Sequence, residues 1–163
     1  MSTNIAAAYQ QVAKFNEIAG NLKRYHNEAD IDSIGNQLDF IKEELEEATE
    51  AFVHGDAVEL LDGACDLFVT VAGLLQKLEL NGMKVEEALA RVNDNNLSKF
   101  ATVEEFDKHP DMCPPNAIPS EGAYNRVVFK REYDGKVMKP TTYTAVNIDD
   151  CVPEDFFGVG EEY

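Results

Sequence analysis

Five acids recur on two stretches of this chain at spacings that point to cation chemistry. Between Val58 and Gln76, the residues Glu59, Asp62, Asp66, Thr70 and Gly73 follow at steps of three, four, four and three. That places them on one narrow stripe of an α-helix. The rest of the stretch, including Leu60, Leu61, Leu67, Phe68, Val71 and Leu74, is apolar in nearly every direction. A helix apolar all round is expected to be buried. Ionised carboxylates carried inside with it need compensation, because an unpaired buried charge is costly. A divalent cation is the simplest compensator. Glu44 and Glu47 lie three apart on the preceding acidic stretch, on a flank shared with Phe40 and Ala51, and two acids so spaced can share a cation. Only oxygen ligands are on offer. No His or Cys is placed to complete a zinc site, and the Glu-x-x-His pattern of di-iron bundles is missing. Hard oxygen ligands with room for water suit magnesium, with manganese as a substitute.

These acids must be held by helices. Ile5, Ala8, Val12, Phe15 and Ala19 recur at helical spacing over residues 4–19, and Gly20 is a stop. A polar link over residues 21–30 follows. A second helix is expected over residues 32–54, with Ile34, Leu38, Ile41, Leu45, Ala48 and Phe52 as its core stripe. Glu43, Glu46 and Glu50 point away from that stripe as solvated charges. Gly55 makes a tight corner and Asp56 caps the third helix. Counting outward from the corner, Glu47 falls level with Asp62 and Glu44 with Asp66, while Glu59 lies nearer the corner. Asp66, further in, serves equally well as a direct ligand or as a brace from behind. Asn81-Gly82 breaks the chain, and a fourth helix starts near Val85. The fold class is therefore all-α: an antiparallel four-helix bundle over residues 1–108 with a small C-terminal β-hairpin extension over residues 109–163. The proline-rich stretch 109–124 reads as a loop. Val127 to Phe129 and Val137-Met138 flank Asp134-Gly135, a hairpin signal, and the acidic end from residue 147 onward reads as mobile.

The totals limit the partners. With 163 residues, 31 acids against 14 bases and a net charge of -17, the surface repels nucleic acid and anionic membrane. An anionic substrate needs local cations, and Lys130, Arg131, Lys136 and Lys139 supply four bases within ten residues; otherwise they form a charged hairpin surface. Cys65, Cys113 and Cys151 are odd in number and widely spaced, and read as reduced thiols of a cytoplasmic protein. The first eight residues lack the basic stretch of a secretory signal.

Taken together, Glu43-Glu44-Leu45-Glu46-Glu47 followed by Glu59-Leu60-Leu61-Asp62 resembles the E-E-x-x-E and E-x-x-D signature of MazG-like nucleotide pyrophosphohydrolases. These belong to the all-α NTP pyrophosphatase superfamily, with dimeric dUTPases, dCTP pyrophosphatases and phosphoribosyl-ATP pyrophosphohydrolases. Asp66, four residues after Asp62, extends the likeness. Asn96-Leu97-Ser98-Lys99 resembles the N-x-S-K element that closes the fourth helix in one subgroup. Residues 134–140, Asp-Gly-Lys-Val-Met-Lys-Pro, resemble that subgroup's tail.

The resemblance implies magnesium-dependent hydrolysis of a nucleoside triphosphate to monophosphate and pyrophosphate. It makes Glu44, Glu47, Glu59 and Asp62 the metal ligands, matches Glu43 to the first motif acid, and turns Asn96 and Lys99 to the phosphates. A spare carboxylate, Glu47 or Glu43, then takes the proton of the attacking water. Lys136 and Lys139 add positive charge. Phe15, Asn16 and Phe40 are candidates to grip the base by stacking and hydrogen bonding. Apolar surface left on the third helix calls for dimerisation that completes the bundle, as a homodimer or a dimer of dimers. Three other readings compete: a relative confined to phosphoribosyl-ATP, dUTP or dCTP; a non-enzymatic acidic protein that mimics DNA; and a metal-stabilised helical scaffold.

Overall fold

The computed structural model describes residues 5–22 and 30–157. Its helices are α1 (Ile5–Ala19), α2 (Ile31–His54), α3 (Ala57–Leu80), α4 (Val85–Leu97) and the short α5 (Val103–Lys108). Four strands are interleaved with them or follow: β1 (Ala101–Thr102), β2 (Ala117–Gly122), β3 (Arg126–Arg131) and β4 (Val137–Met138). The chain divides into two compact units. Residues 1–85 and 151–163 make the first, and residues 86–150 the second. The fold is thus mostly helical with a small antiparallel sheet. The four long helices are present at the expected places, but α4 falls almost wholly in the second unit, alongside the sheet. Most of the expected 21–30 link, and the acidic end beyond residue 157, lie outside the described residues.

In the first unit α2 and α3 are antiparallel, joined by the corner the sequence announces. Gly55 takes the left-handed conformation at φ 72°, and its backbone N–H donates to the carbonyls of Ala51 and Phe52. The Asp56 carboxylate then accepts from the backbone N–H groups of Val58 and Glu59, each at 3.1 Å. With no linker to spare, the two helices run back along each other in one register. Ala48 faces Gly63, the Gln37 amide donates to the Thr70 carbonyl at 3.0 Å, and the Lys77 ammonium donates to the Ser33 carbonyl at 2.9 Å. A Cβ at Gly63 would lie 3.0 Å from the Ala48 Cβ and 3.2 Å from its Cα. The axes come this close because glycine has no side chain there. A polar knot ties α1 to α3: the Asn16 amide donates to Gln76 at 3.0 Å, the Gln76 amide to the Tyr9 carbonyl at 3.3 Å, and the Asn21 amide to Asn16 at 3.2 Å.

This packing reverses two expectations. On α2 the buried residues are Gln37, Ala48 and Ala51. Leu38 and Leu45 of the expected core stripe are exposed, and Phe52 is 71% exposed. On α3 the buried residues are Gly63, Ala72, Gly73, Gln76 and Lys77, whereas Val58, Phe68 and Val71 are open and Leu61 is 67% exposed. The helix therefore buries small and polar residues of its N- and C-terminal halves within the chain, whereas Glu59 and Asp62 of the acidic stripe are exposed and Asp66 and Thr70 half-buried. Small residues allow close approach, and the polar ones find partners across the seam, so the apolar remainder stays outside.

The second unit has its own core of Ala101, Met112, Val127 and the fully buried Phe129, flanked by Val103, Phe106, Cys113, Ala117 and Met138. β3 is central, pairing antiparallel with β1, β2 and β4. The hairpin around Asp134-Gly135 forms as expected, with Phe129 opposite Met138 and Lys130 opposite Val137. The stretch read as a loop instead carries β2, in which Pro119 opposite Phe129 is tolerated because β2 is an edge strand. α5 also went unread, although its capping box is spelled out: the Thr102 hydroxyl accepts from the Glu105 N–H, and the Glu105 carboxylate accepts from the Thr102 N–H. Arg91 on α4 joins Glu87 to Asp150, which binds the end of this unit to the helix. Among the described residues no helix is long and apolar enough to cross a membrane.

Candidate functional site

The α2–α3 register decides which acids meet. With Ala48 opposite Gly63 and Gln37 opposite Thr70, Glu44 and Glu47 stand at the height of Asp62 and Asp66. Glu44 and Asp66 are half-buried, and Glu47 and Asp62 are exposed. The Glu44 carboxyl is pushed above the ordinary glutamate value, first by burial and then by the negative charges of Asp66, Glu47, Glu43 and Asp62. Desolvation and like charge act in the same sense here, since both disfavour the ionised form. Four other acids thus crowd one carboxyl. Glu59 sits in the first turn of α3, nearer the corner, and is exposed.

The donor chemistry is that of a hard divalent cation, but among the described residues no three of these acids bring carboxylate oxygens within 4.8 Å of one another. All the groups are carboxylates, they come from two helices locked in register, and they repel one another. A cation between them removes that repulsion and takes the oxygen ligands it prefers.

On one flank of α2 lies an open cleft of about 810 Å³, lined by Asp32, Asn36, Asp39, Phe40, Glu43 and the α3 residue Lys77, among others. Glu43 belongs to both places: it lines the cleft and it acts on Glu44. Phe40 is half exposed there. The three residues considered for the base are not brought together. Phe15, 61% exposed, lines a separate apolar groove with Val12, Ala64, Cys65, Phe68 and Val69. Asn16 is 7% exposed, with its amide engaged in the knot with Gln76 and Asn21. Asn16 is thus occupied in tying α1 to α3.

Lys77 escaped the sequence reading. Its ammonium is buried on the α2–α3 seam, and burial lowers its affinity for the proton against the opposing pull of Asp30. A lysine in the last turn of a helix reads as a partner for the helix dipole. The signal that could have marked it is the stripe itself. Asp66, Thr70, Gly73 and Lys77 continue the steps of four, three and four.

In the second unit the Lys99 ammonium donates to the Asn96 side-chain oxygen at 2.6 Å, at the C-terminal end of α4. Lys139 stacks over the Tyr143 ring, 4.3 Å from its centroid. Lys136 is exposed beyond the hairpin turn, where its backbone N–H donates to Asp134.

The phosphoribosyl-ATP pyrophosphohydrolase family model matches residues 18–95. The match takes in the end of α1, all of α2 and α3 and most of α4, and stops ahead of the sheet. No curated protein and no solved structure shows significant similarity to the chain. The family is one of nucleotide pyrophosphohydrolases, and its span encloses every one of the crowded carboxylates. Through these residues the chain is similar to phosphoribosyl-ATP pyrophosphohydrolases, consistent with the all-α NTP pyrophosphatase superfamily.

Proposed function

We propose that the protein hydrolyses nucleoside or deoxynucleoside triphosphates to the monophosphate and pyrophosphate with magnesium. The observation that carries this reading is the crowd of carboxylates around Glu44, lying within the family match. Glu44, Glu47, Glu59 and Asp62 would hold the metal, with Asp66 as a further ligand or a brace; manganese is the substitute. When bound, the ion neutralises the triphosphate and acidifies water. Glu47, or Glu43 on the cleft side, takes the proton of the attacking water. Water adds across the anhydride between the α and β phosphates, and pyrophosphate leaves. Asn96, Lys99, Lys136 and Lys139 meet the phosphates, which a chain of charge -17 otherwise repels. Phe40 offers its exposed ring to the base in the cleft. The exposed apolar face of α3 is covered by a second copy, so that the working form is a homodimer or a dimer of dimers in the cytoplasm.

The test is pyrophosphate release from a panel of canonical, deoxy and modified triphosphates, with phosphoribosyl-ATP, dUTP and dCTP included. Glu44→Gln and Asp62→Asn are each expected to lose turnover by about a thousandfold while remaining folded, a loss of roughly 4 kcal/mol at the transition state. Retained activity in both would remove the metal assignment.

A further inference from the structure

Beyond Asn95 the second unit lies outside the family match, yet it orders one loop with unusual care. After β4 the chain passes through Lys139 and the buried Pro140. The Thr141 N–H donates to the Met112 carbonyl at 2.9 Å, and the Tyr143 N–H to the Pro140 carbonyl at 3.0 Å. The Tyr143 hydroxyl donates to the Asn95 side-chain oxygen at 2.5 Å, and the Asn95 amide donates to the Thr144 carbonyl at 2.8 Å. Asn95 is the immediate neighbour of Asn96, which already engages Lys99. The face of the same tyrosine lies under the Lys139 ammonium. An aromatic face attracts a cation without neutralising it. The lysine therefore keeps its charge and its N–H donors for another partner.

We propose that Tyr143 is a positioning residue: its hydroxyl anchors the 139–144 loop to α4 at Asn95, and its ring holds the Lys139 ammonium, so that Lys139 and Lys99 are presented at the same end of α4 to one phosphate chain. This deepens the functional reading above, since it rests on these lysines meeting the phosphates. Tyr143 touches no substrate in this scheme and acts only through Lys139.

Calorimetric titration of the full chain with inorganic pyrophosphate in the presence of magnesium tests the clamp without requiring turnover. Lys139→Ala and Tyr143→Leu are each expected to weaken binding about tenfold, and the double variant no further than Lys139→Ala alone, because residues acting as one unit do not add. Tyr143→Phe keeps the ring and loses the anchor, and should fall between wild type and Tyr143→Leu. Melting curves establish that each variant is folded. In any nucleotide that turns over, Tyr143→Leu should raise KM and leave kcat within about twofold, as expected for loss of uniform binding. Wild-type affinity in Tyr143→Leu, additive losses in the double variant, or no pyrophosphate binding by the wild type would each overturn the clamp. If the wild type binds magnesium pyrophosphate, shows the non-additive pattern and yet releases none from any triphosphate, the clamp stands and the reaction assigned to the protein falls.

Discussion

Glu44 is loaded by burial and by like charge together at the residue scale. Its carboxyl is raised from the ordinary 4.5 by burial and by four neighbouring acids. A carboxyl with a higher pKa folded than unfolded holds more protons in the native state, so stability falls as pH rises through its folded value. Without metal, the protein should therefore gain stability as pH is lowered into the range where Glu44 takes up a proton. Glu44→Gln should melt higher than wild type in chelator at pH 7. Added magnesium should reverse the order, because a ligand that binds only the native state raises the melting temperature of the chain that can hold it. Differential scanning calorimetry with and without magnesium measures both. A wild type that melts no higher with magnesium would sever Glu44 from any metal. The same residue shows what a sequence can convey. Helical spacing and the Gly55-Asp56 corner together put Glu44 level with Asp66, and this is where Glu44 stands. Lys77 was passed over because its burial depends on Ser33 and Asp30, which reach it only from another helix.

Among the elements, the α2–α3 seam and the β3–β4 hairpin carry the sharpest expectations. Gly63 lies against Ala48, between the heights of Glu47 and Asp62, and leaves no room for a side chain. Gly63→Val should destabilise by about 1–3 kcal/mol through overpacking. It should also weaken magnesium binding out of proportion, because spreading the helices separates the carboxylates proposed to share one ion. Chemical denaturation and metal titration measure the two effects. The hairpin turn is held by Asp134, which accepts from the Arg131 guanidinium and has its pKa lowered by that pair to about 2. A depressed carboxylate contributes stability above its unfolded pKa of roughly 4, lost as pH falls towards the folded value. Proton exchange of hairpin amides should accordingly quicken between about pH 4 and pH 2 relative to amides of the sheet core. In Asp134→Ala that acid-dependent change should vanish. The pair is exposed, so salt should blunt the effect.

For the whole molecule, the balance of charge and grease sets the behaviour. The -17 net charge disfavours self-association, yet Leu61, Phe68, Val71, Phe52, Leu45 and Leu38 stand open on the helices of the first unit. Apolar exposure on this scale is the surface that the proposed second copy would cover. Sedimentation should show a dimer or tetramer at micromolar concentration, and Leu61→Glu should shift it to monomer and make the melting temperature independent of concentration. A wild type that sediments as a monomer at every concentration would remove dimerisation from the reading.

The four long helices, the corner at Gly55, the hairpin and the level of Glu44 against Asp66 were readable along the chain, because spacing, caps and turn residues are local and each acts within a few positions. Which side of α3 is covered was not readable. An apolar face and a set of small and polar residues both ask for a partner, and only the close approach at Gly63, with Gln37, Thr70, Ser33 and Lys77 bonded across the seam, awards the inside to Gly63, Gly73, Gln76 and Lys77. The edge strand β2 was likewise decided in three dimensions, since its pairing energy comes from β3, a neighbour that the stretch around Pro119 does not itself specify.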